Sequence, residues 1–296
     1  MERKQKKNIE FRAKTESSLL EFLMKALDGI SRNSAKSLLT HRMVRINSRL
    51  ETKHDFVVKP GMTVEVSRGR GQNELKNKQL KMLYEDPYIV VVEKAAGLLT
   101  VATAREKEKT AHEILKEYAR RTYHGRIFVV HRLDRDTSGI LIFAKDEKTM
   151  SKLRENWNDI VKVRGYIAIV SGEMERDKGT VTSWLTENEK HEVYSSPVAG
   201  IGDWAVTNYR TLERKGGYSL VDVDIETGRR NQIRVHMKEM GHPIVGDEKY
   251  GNGDNPIKRL GLHAYRLVFN HPATGKLMTF ELPYPNEFKR IFNSKQ

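Results

Sequence analysis

Residues 127–145 read IFVVHRLDRDTSGILIFAK. Two apolar runs, 127–130 and 139–144, stand on either side of a stretch that carries His131, Arg132, Asp134, Arg135 and Asp136. Short apolar runs rich in Val, Ile and Phe predict strands. Polar residues packed between two strands form a loop at a sheet edge, where functional groups concentrate. The bland reading of this loop is a solvated turn with self-compensating charges; the sharp one is an active-site loop.

Working outward, further strands are expected at 88–92, 166–170, 218–225, 264–269 and 277–282, and helices at 110–121, 148–156 and 231–240, the last stopped by Gly241. Strands and helices do not alternate strictly, so the expected fold is α+β, with a mixed, largely antiparallel sheet in place of a doubly wound parallel one. A second polar cluster, Glu226 to His236 (ETGRRNQIRVH), leaves a strand and enters a helix. There Ile233, Met237 and Met240 share one helical face, while Arg230 and Arg234 lie one turn apart on another. A helix start with Thr, Gly and arginines suits an anion, but the phosphate-loop ending Gly-Lys-Ser/Thr is absent, which disfavours ATP hydrolysis. Neither a His-Glu-x-x-His set nor a Gly-x-Ser-x-Gly elbow occurs. Zinc chemistry and serine hydrolysis are therefore poorly supported, and no metal is expected.

The chain has 296 residues, enough for one small module and one larger body. Residues 1–70 hold 16 Lys and Arg against 8 Asp and Glu, so about a quarter of the chain carries +8 of the net +14. Such a surface gains affinity by displacing counterions from phosphates, so nucleic acid is the expected partner, ahead of an anionic membrane. Within this part, 18–27 reads as an amphipathic helix ended by Gly29, and Ser31 caps a second helix with Arg32 and Lys36 outward and Leu38 and Leu39 inward. Asn47-Ser48 is a hairpin turn, and Pro60-Gly61 turns the chain into Val64 and Val66. The glycine-bearing, strongly basic stretch 68–81 reads as a linker. The expected division is a small α/β RNA-binding domain at 1–70, a linker at 71–80 and a catalytic domain at 81–296. The chain has no cysteine, which excludes disulfides and thiolate sites. It shows neither a signal-peptide core nor an apolar run near the ~18 residues of a membrane span. A cytoplasmic monomer is the default.

The run HRLDRDTSGILIFAK closely resembles the signature of the RluA-type pseudouridine synthases, His-Arg-Leu-Asp followed by Thr-Ser/Thr-Gly. The resemblance extends to LYEDPYIVVVEKAAGLLT upstream and to RGYIAIVSG, ETGRRNQIRVHMKEMGHPIVGDEKYG and GLHAYRLVFNHPATGK downstream, in the family's order. It covers roughly 81–288. The amino-terminal SRNSAKSLLTHRMVRINSRLE, with VKPGMTVEV, is similar to a small RNA-binding module shared by a ribosomal small-subunit protein and many bacterial tyrosyl-tRNA synthetases. By that likeness Arg32, Lys36 and Arg42 would contact RNA.

The resemblance implies the pseudouridine synthase catalytic fold and the isomerisation of uridine in structured RNA, with ribosomal RNA of the large subunit as first choice and no cofactor. It makes Asp134 the catalytic carboxylate, acting as nucleophile toward the sugar or as base toward the neighbouring sugar proton. Arg234 would pair with that aspartate and fix its direction. Tyr166 would stack on the target uracil and help remove the proton from the base carbon. Arg132 would fill the space left by the extruded uridine, and Arg229 would contact RNA. Thr137 and Ser138 would hold the loop through backbone hydrogen bonds. Three departures from the family pattern bear on the target more than on the reaction: Lys94-Ala95-Ala96-Gly97, Gly228-Arg229-Arg230-Asn231-Gln232, and Arg164-Gly165 before Tyr166. Two other readings are a non-catalytic RNA-binding or ribosome-assembly protein, and a phosphate-handling or glycoside-cleaving enzyme using Asp134 and Asp136 as a pair.

Overall fold

A computed structural model describes residues 9–40, 43–66, 75, 77–103, 109–123 and 125–293. In its first part, β1 (Ile9–Arg12), β2 (Ser17–Ser18), α1 (Leu19–Ala26), α2 (Arg32–Thr40), β3 (Val44–Ile46), β4 (Arg49–Leu50), β5 (Val57–Val58) and β6 (Thr63–Val66) follow one another. Ser18 caps α1 in a reciprocal box with Glu21, and Ser31 accepts from the Ser34 N–H at the start of α2. Asn47 and Ser48, both left-handed, close the β3–β4 hairpin. Strands β1, β6, β3 and β4 form a four-stranded sheet. The core beneath it (Leu19, Leu20, Leu23, Ala35, Leu39, Val64 and neighbours) draws only on residues 11–66.

The rest comprises β7 (Leu80–Glu85), β8 (Ile89–Lys94), α3 (Ala111–Tyr123), β9 (Phe128–Val129), β10 (Ser138–Ala144), α4 (Glu147–Glu155), α5 (Trp157–Ile160), β11 (Val161–Ser171), β12 (Lys178–Glu187), β13 (Val193–Ser195), β14 (Asp203–Lys215), β15 (Tyr218–Ile225), α6 (Gln232–Glu239), β16 (Leu262–Asn270), β17 (Leu277–Glu281) and α7 (Asn286–Asn293). Among the described residues these strands make one eleven-stranded sheet, in the order β13-β12-β14-β15-β11-β16-β10-β8-β7, with β17 beside β16 and β9 beside β10. Every pairing is antiparallel except β10 with β16. The sheet is mixed and largely antiparallel, an α+β arrangement.

All seven residues of β10 are buried because both faces of the strand are covered. Leu141 and Phe143 pack toward Leu115, Tyr118 and Ala119 of α3. Ile140, Ile142 and Ala144 alternate to the other side, against Leu153, Ile160 and Phe269. Truncating Phe143 to alanine would cost about 3–5 kcal/mol. In the other half of the sheet, Val221 and Val223 meet Ile233 and Met237 of α6, while Ile167 and Ile169 meet Phe288 and Phe292 of α7.

Two readings need correction. The linker expectation extended into the sheet: Leu80 opens β7, and Leu75 packs with Val90 and Leu115. Strands β12 and β14 went unread, because β12 buries only Leu185 and β14 sets Thr207 and Thr211 inward with Trp204 and Leu212 outward, so neither shows an apolar run or a clean alternation.

Candidate active site

The polar loop 131–137 enters β10 at its one parallel junction, where Ser138 and Gly139 face His263 and Ala264 of β16. Gly139 has φ +122°, and a Cβ there would stand 2.1 Å from the Ala264 carbonyl oxygen. Only glycine lets the two strands approach so closely.

The residues flanking Asp134 are bolted down. The Thr100 hydroxyl donates to the Leu133 carbonyl (2.7 Å) and accepts from its N–H (3.2 Å). The Arg135 carbonyl accepts from the Gly97 N–H and from the Lys94 ammonium, both at 2.9 Å. Lys94 is wholly buried and also donates to the carbonyls of Ala95 (3.0 Å) and Leu98 (2.7 Å). Burial pulls its pKa down to about 7. With Leu133 and Arg135 both fixed, Asp134 between them lines the cleft, its side chain 25% exposed.

This grip differs from the expectation that Thr137 and Ser138 hold the loop by backbone hydrogen bonds. Arg259 Nη2 donates to Ser138 Oγ (2.6 Å), which leaves the hydroxyl proton for His263 Nδ1 at 2.7 Å. His131 is likewise structural: its Nε2 accepts the Ile142 N–H (3.1 Å), and its ring lies 4.8 Å from that of Trp157. Burial, and then Arg164, lower its pKa to about 3, so it stays neutral. Asp136 pairs with its neighbour Arg135 at 3.0 Å and is not among the residues lining the cleft, so it makes no working pair with Asp134.

The opposite wall is the turn from β15 into α6. Gln232 ties this turn down, accepting from Thr227 Oγ1 (2.8 Å) and the Arg229 N–H (3.0 Å) and donating to the Val206 carbonyl (2.9 Å). Asn231, in the left-handed region, starts α6. Three residues on, Arg234 projects into the cleft. Its Nε and Nη2 donate to the two oxygens of Asp247, each at 2.7 Å, and the Asp247 side chain is fully buried. The third nitrogen, Nη1, donates to Asn231 Oδ1 (3.1 Å) and lies 3.6 Å from Asp134 Oδ2. Bonds from the N–H groups of Lys249 and Tyr250 complete the Asp247 shell (both 2.9 Å). Arg234 holds its carboxyl below the usual range against the opposing effect of burial. A bidentate buried carboxylate thus fixes the plane of the guanidinium, leaving one edge for Asp134.

Tyr166 sits in β11 at a register shift against β16. Its ring packs against both inner clusters and lines the cleft. Burial pushes its phenol up to about 12; Arg164 pulls the other way, and Asp134 and Asp224 add to the rise.

The structure brings Asp134, Tyr166, Arg234, Arg132 and Arg229 to one cleft of about 160 Å³. Arg132 is exposed there with no hydrogen bond or ion pair among the described residues. Arg229 is partly committed, to the Trp204 carbonyl (3.1 Å) and Asp203 (3.3 Å), and Arg230 diverges from Arg234 to bond Glu187. Arg32 and Lys36 are exposed on α2, away from the cleft lining, and Arg42 lies outside the described residues. Thr100, Lys94 and Asp247 escaped sequence reasoning; the Lys-x-x-Gly remnant at 94–97 was the one signal for the lysine. Among the described residues no three His, Asp or Glu side chains converge as metal ligands, and no helix is long and apolar enough to cross a membrane.

A family profile described as RNA pseudouridylate synthase matches residues 88–239. The chain is similar to the uncharacterized RNA pseudouridine synthase YhcT of Bacillus subtilis, 30% identical over 280 residues that cover 93% of this chain and 91% of that one. It is similar in the same degree to the ribosomal large subunit pseudouridine synthase D of Haemophilus influenzae, 30% over 282 residues, covering 89% and 86%. Among solved structures, human RNA pseudouridylate synthase domain containing 4 superposes with a TM-score of 0.59 at 22% identity, over 71% of this chain and 91% of that one, a likeness of fold. With the profile over half its length and these relatives over nearly all of it, the chain belongs to the RNA pseudouridine synthase family, enzymes that isomerise uridine in RNA.

Proposed function

We propose that Asp134 is the carboxylate that performs this isomerisation and that the substrate is large-subunit ribosomal RNA. The observation that carries the first part is Arg234, locked by buried Asp247 with Nη1 turned 3.6 Å from Asp134 Oδ2 on the cleft wall. Relatives in Haemophilus influenzae and Neisseria meningitidis, both named ribosomal large subunit pseudouridine synthase D, support the second.

In the reaction the N1–C1′ bond breaks, the base turns, C5–C1′ forms, C5 gives up its proton and N1 gains one. Nothing is oxidised and no group is added, so the chemistry asks for no cofactor. Asp134 begins it either by attacking C1′ or by taking the C2′ proton, and Arg234 directs the carboxylate in both routes. The uridine must leave the RNA stack to reach this cleft. Exposed Arg132, beside Asp134, takes the vacated space, and the Tyr166 ring supports the extruded base. A phenol held near 12 is a poor proton acceptor at pH 7, so stacking, and not proton removal from C5, is the role assigned to Tyr166.

The self-contained core of 11–66 and the charge of +8 over 1–70 support a separate RNA-docking domain that uses Arg32, Lys36 and Arg42, of the kind found in a ribosomal small-subunit protein. The enzyme acts as a cytoplasmic monomer.

The test is release of tritium from large-subunit ribosomal RNA labelled at uridine C5. The full chain releases label, and Asp134→Asn releases none. Label release by Asp134→Asn at the wild-type rate would overturn the assignment. Removal of 1–70 should weaken RNA affinity and flatten its salt dependence; identical binding across a salt series would refute the docking role.

A further inference from the structure

The guanidinium of Arg234 carries its N–H donors in one plane, and different neighbours take its different edges. Asp247 takes the edge made by Nε and Nη2, and the centre of the Tyr250 ring lies 5.0 Å from the central carbon. Nη1, the nitrogen 3.6 Å from Asp134 Oδ2, has a partner of another kind: it donates to Asn231 Oδ1 at 3.1 Å.

Asn231 is buried and lines the cleft. Its backbone is left-handed (φ 54°, ψ 15°), a conformation that asparagine adopts far more readily than most residues. The direction of its amide follows from its partners. Arg234 can only donate, so the amide oxygen faces it. The NH₂ group then donates to the Tyr250 hydroxyl at 3.0 Å, which also accepts from the Val193 N–H at 2.9 Å. One phenol thus orients the amide, and the amide orients Nη1. Asn231 also stands in one of the three stretches that depart from the family pattern.

An amide oxygen at this place supplies a bond without a charge. Asp247 already offers the guanidinium one counter-charge, and a second carboxylate on Nη1 would bind it more strongly than an amide does. It would draw Nη1 away from Asp134. We infer that Asn231 is a positioning residue of the reaction, whose neutral side chain aims Arg234 Nη1 at Asp134 without competing with that carboxylate for the charge. This rests on the reading of Asp134 as the reacting carboxylate. Asn231 acts through Arg234 and needs no contact with the reacting atoms.

The test is a pair of substitutions in the full chain that separate the bond from the charge, each followed by thermal unfolding and by tritium release from C5-labelled RNA. Asn231→Gly keeps the left-handed backbone and removes the amide. Asn231→Asp keeps an acceptor for Nη1, and its second oxygen can accept the Tyr250 hydroxyl proton, so it adds a charge with little change of shape. In Asn231→Gly kcat should fall roughly 10- to 100-fold, the upper figure being the loss for a misplacement of about 1 Å, with KM little changed. Asn231→Asp should melt at or above the temperature of the parent and still lose kcat, a split that a purely structural bond would not give. Parent-like kcat in either variant overturns the inference. So does a rise in KM at constant kcat, which would make Asn231 a contact to RNA, or a loss of kcat in Asn231→Asp that only follows a lowered melting temperature. Asp134→Asn is assayed beside them: label release there sinks the underlying reading, whereas its loss there with parent-like Asn231 variants sinks this inference alone.

Discussion

Replacing Asp247 by asparagine perturbs the arginine clamp without changing its size. The carboxylate accepts four bonds: Arg234 Nε on one oxygen, and Arg234 Nη2 with the N–H groups of Lys249 and Tyr250 on the other. An amide oxygen can keep the three-bond position, which turns the amide NH₂ toward Arg234 Nε, donor against donor at a 2.7 Å separation. One charge-assisted bond is lost, and a largely buried guanidinium loses its counter-charge. Breaking a buried pair in this way costs about 3–5 kcal/mol, and at about 2–4 °C per kcal/mol for a body of this size the melting temperature should fall by roughly 6–20 °C. Arg234 then has Asp134 as its remaining carboxylate and moves toward it. A displacement of about 1 Å at a reacting group costs on the order of 100-fold in rate. Thermal unfolding and tritium release from C5-labelled RNA measure the two effects. The loss should fall on kcat more than on KM, because Asp247 lies beneath the cleft wall and is not among the residues that line it. A variant that melts and turns over like the parent would refute the clamp.

Thr100→Val keeps shape but strips the Leu133 N–H and carbonyl of their shared partner. Two buried groups left unpaired should cost about 1–3 kcal/mol each and lower kcat through a loosened Asp134, whereas Thr100→Ser should restore most of the rate; wild-type turnover in the valine variant would contradict this. His131, held near pKa 3, and His236 and His263, near 4, are all kept neutral chiefly by burial. Their folded values lie below the unfolded value near 6.5, so the unfolded chain binds more protons between these limits. Stability should therefore fall as pH drops from 6.5 toward 4, by about 1.4 kcal/mol per pH unit for each histidine. Urea midpoints at pH 7 and pH 5 check this, and equal midpoints would refute it. Arg32→Ala and Lys36→Ala should each lower the slope of log affinity against log salt by about 0.9 if each neutralises one phosphate; an unchanged slope removes α2 from the RNA interface.

What the sequence made legible follows from the range of the interactions. The hairpin at Asn47-Ser48, the Ser31 cap, strand 218–225 and the stop at Gly241 rest on neighbours within a few residues, and each was readable from residue type. Strand β14 was not, because its buried positions include Thr207 and Thr211 while Trp204, Val206 and Leu212 stand outward, so residue type does not alternate with burial. Helix α7 was missed although Phe288 and Phe292, one turn apart, are its buried anchors. Asp134 stood out because it sits between two apolar runs. Its supports did not, since Thr100 is 33 residues from Leu133, Lys94 is 41 from Arg135 and Asp247 is 13 from Arg234. Among the described strands the one parallel pairing, β10 with β16, joins residues 125 apart, and only the glycine it demands at 139 was visible beforehand.

The most direct measurement is a pseudouridine map of ribosomal and transfer RNA from cells carrying the parent protein, a deletion, and Asp134→Asn. Pseudouridine should vanish at the same site or few sites of large-subunit ribosomal RNA in the deletion and the substitution alike. A map in which the deletion loses a site that Asp134→Asn still modifies would contradict the account at its center.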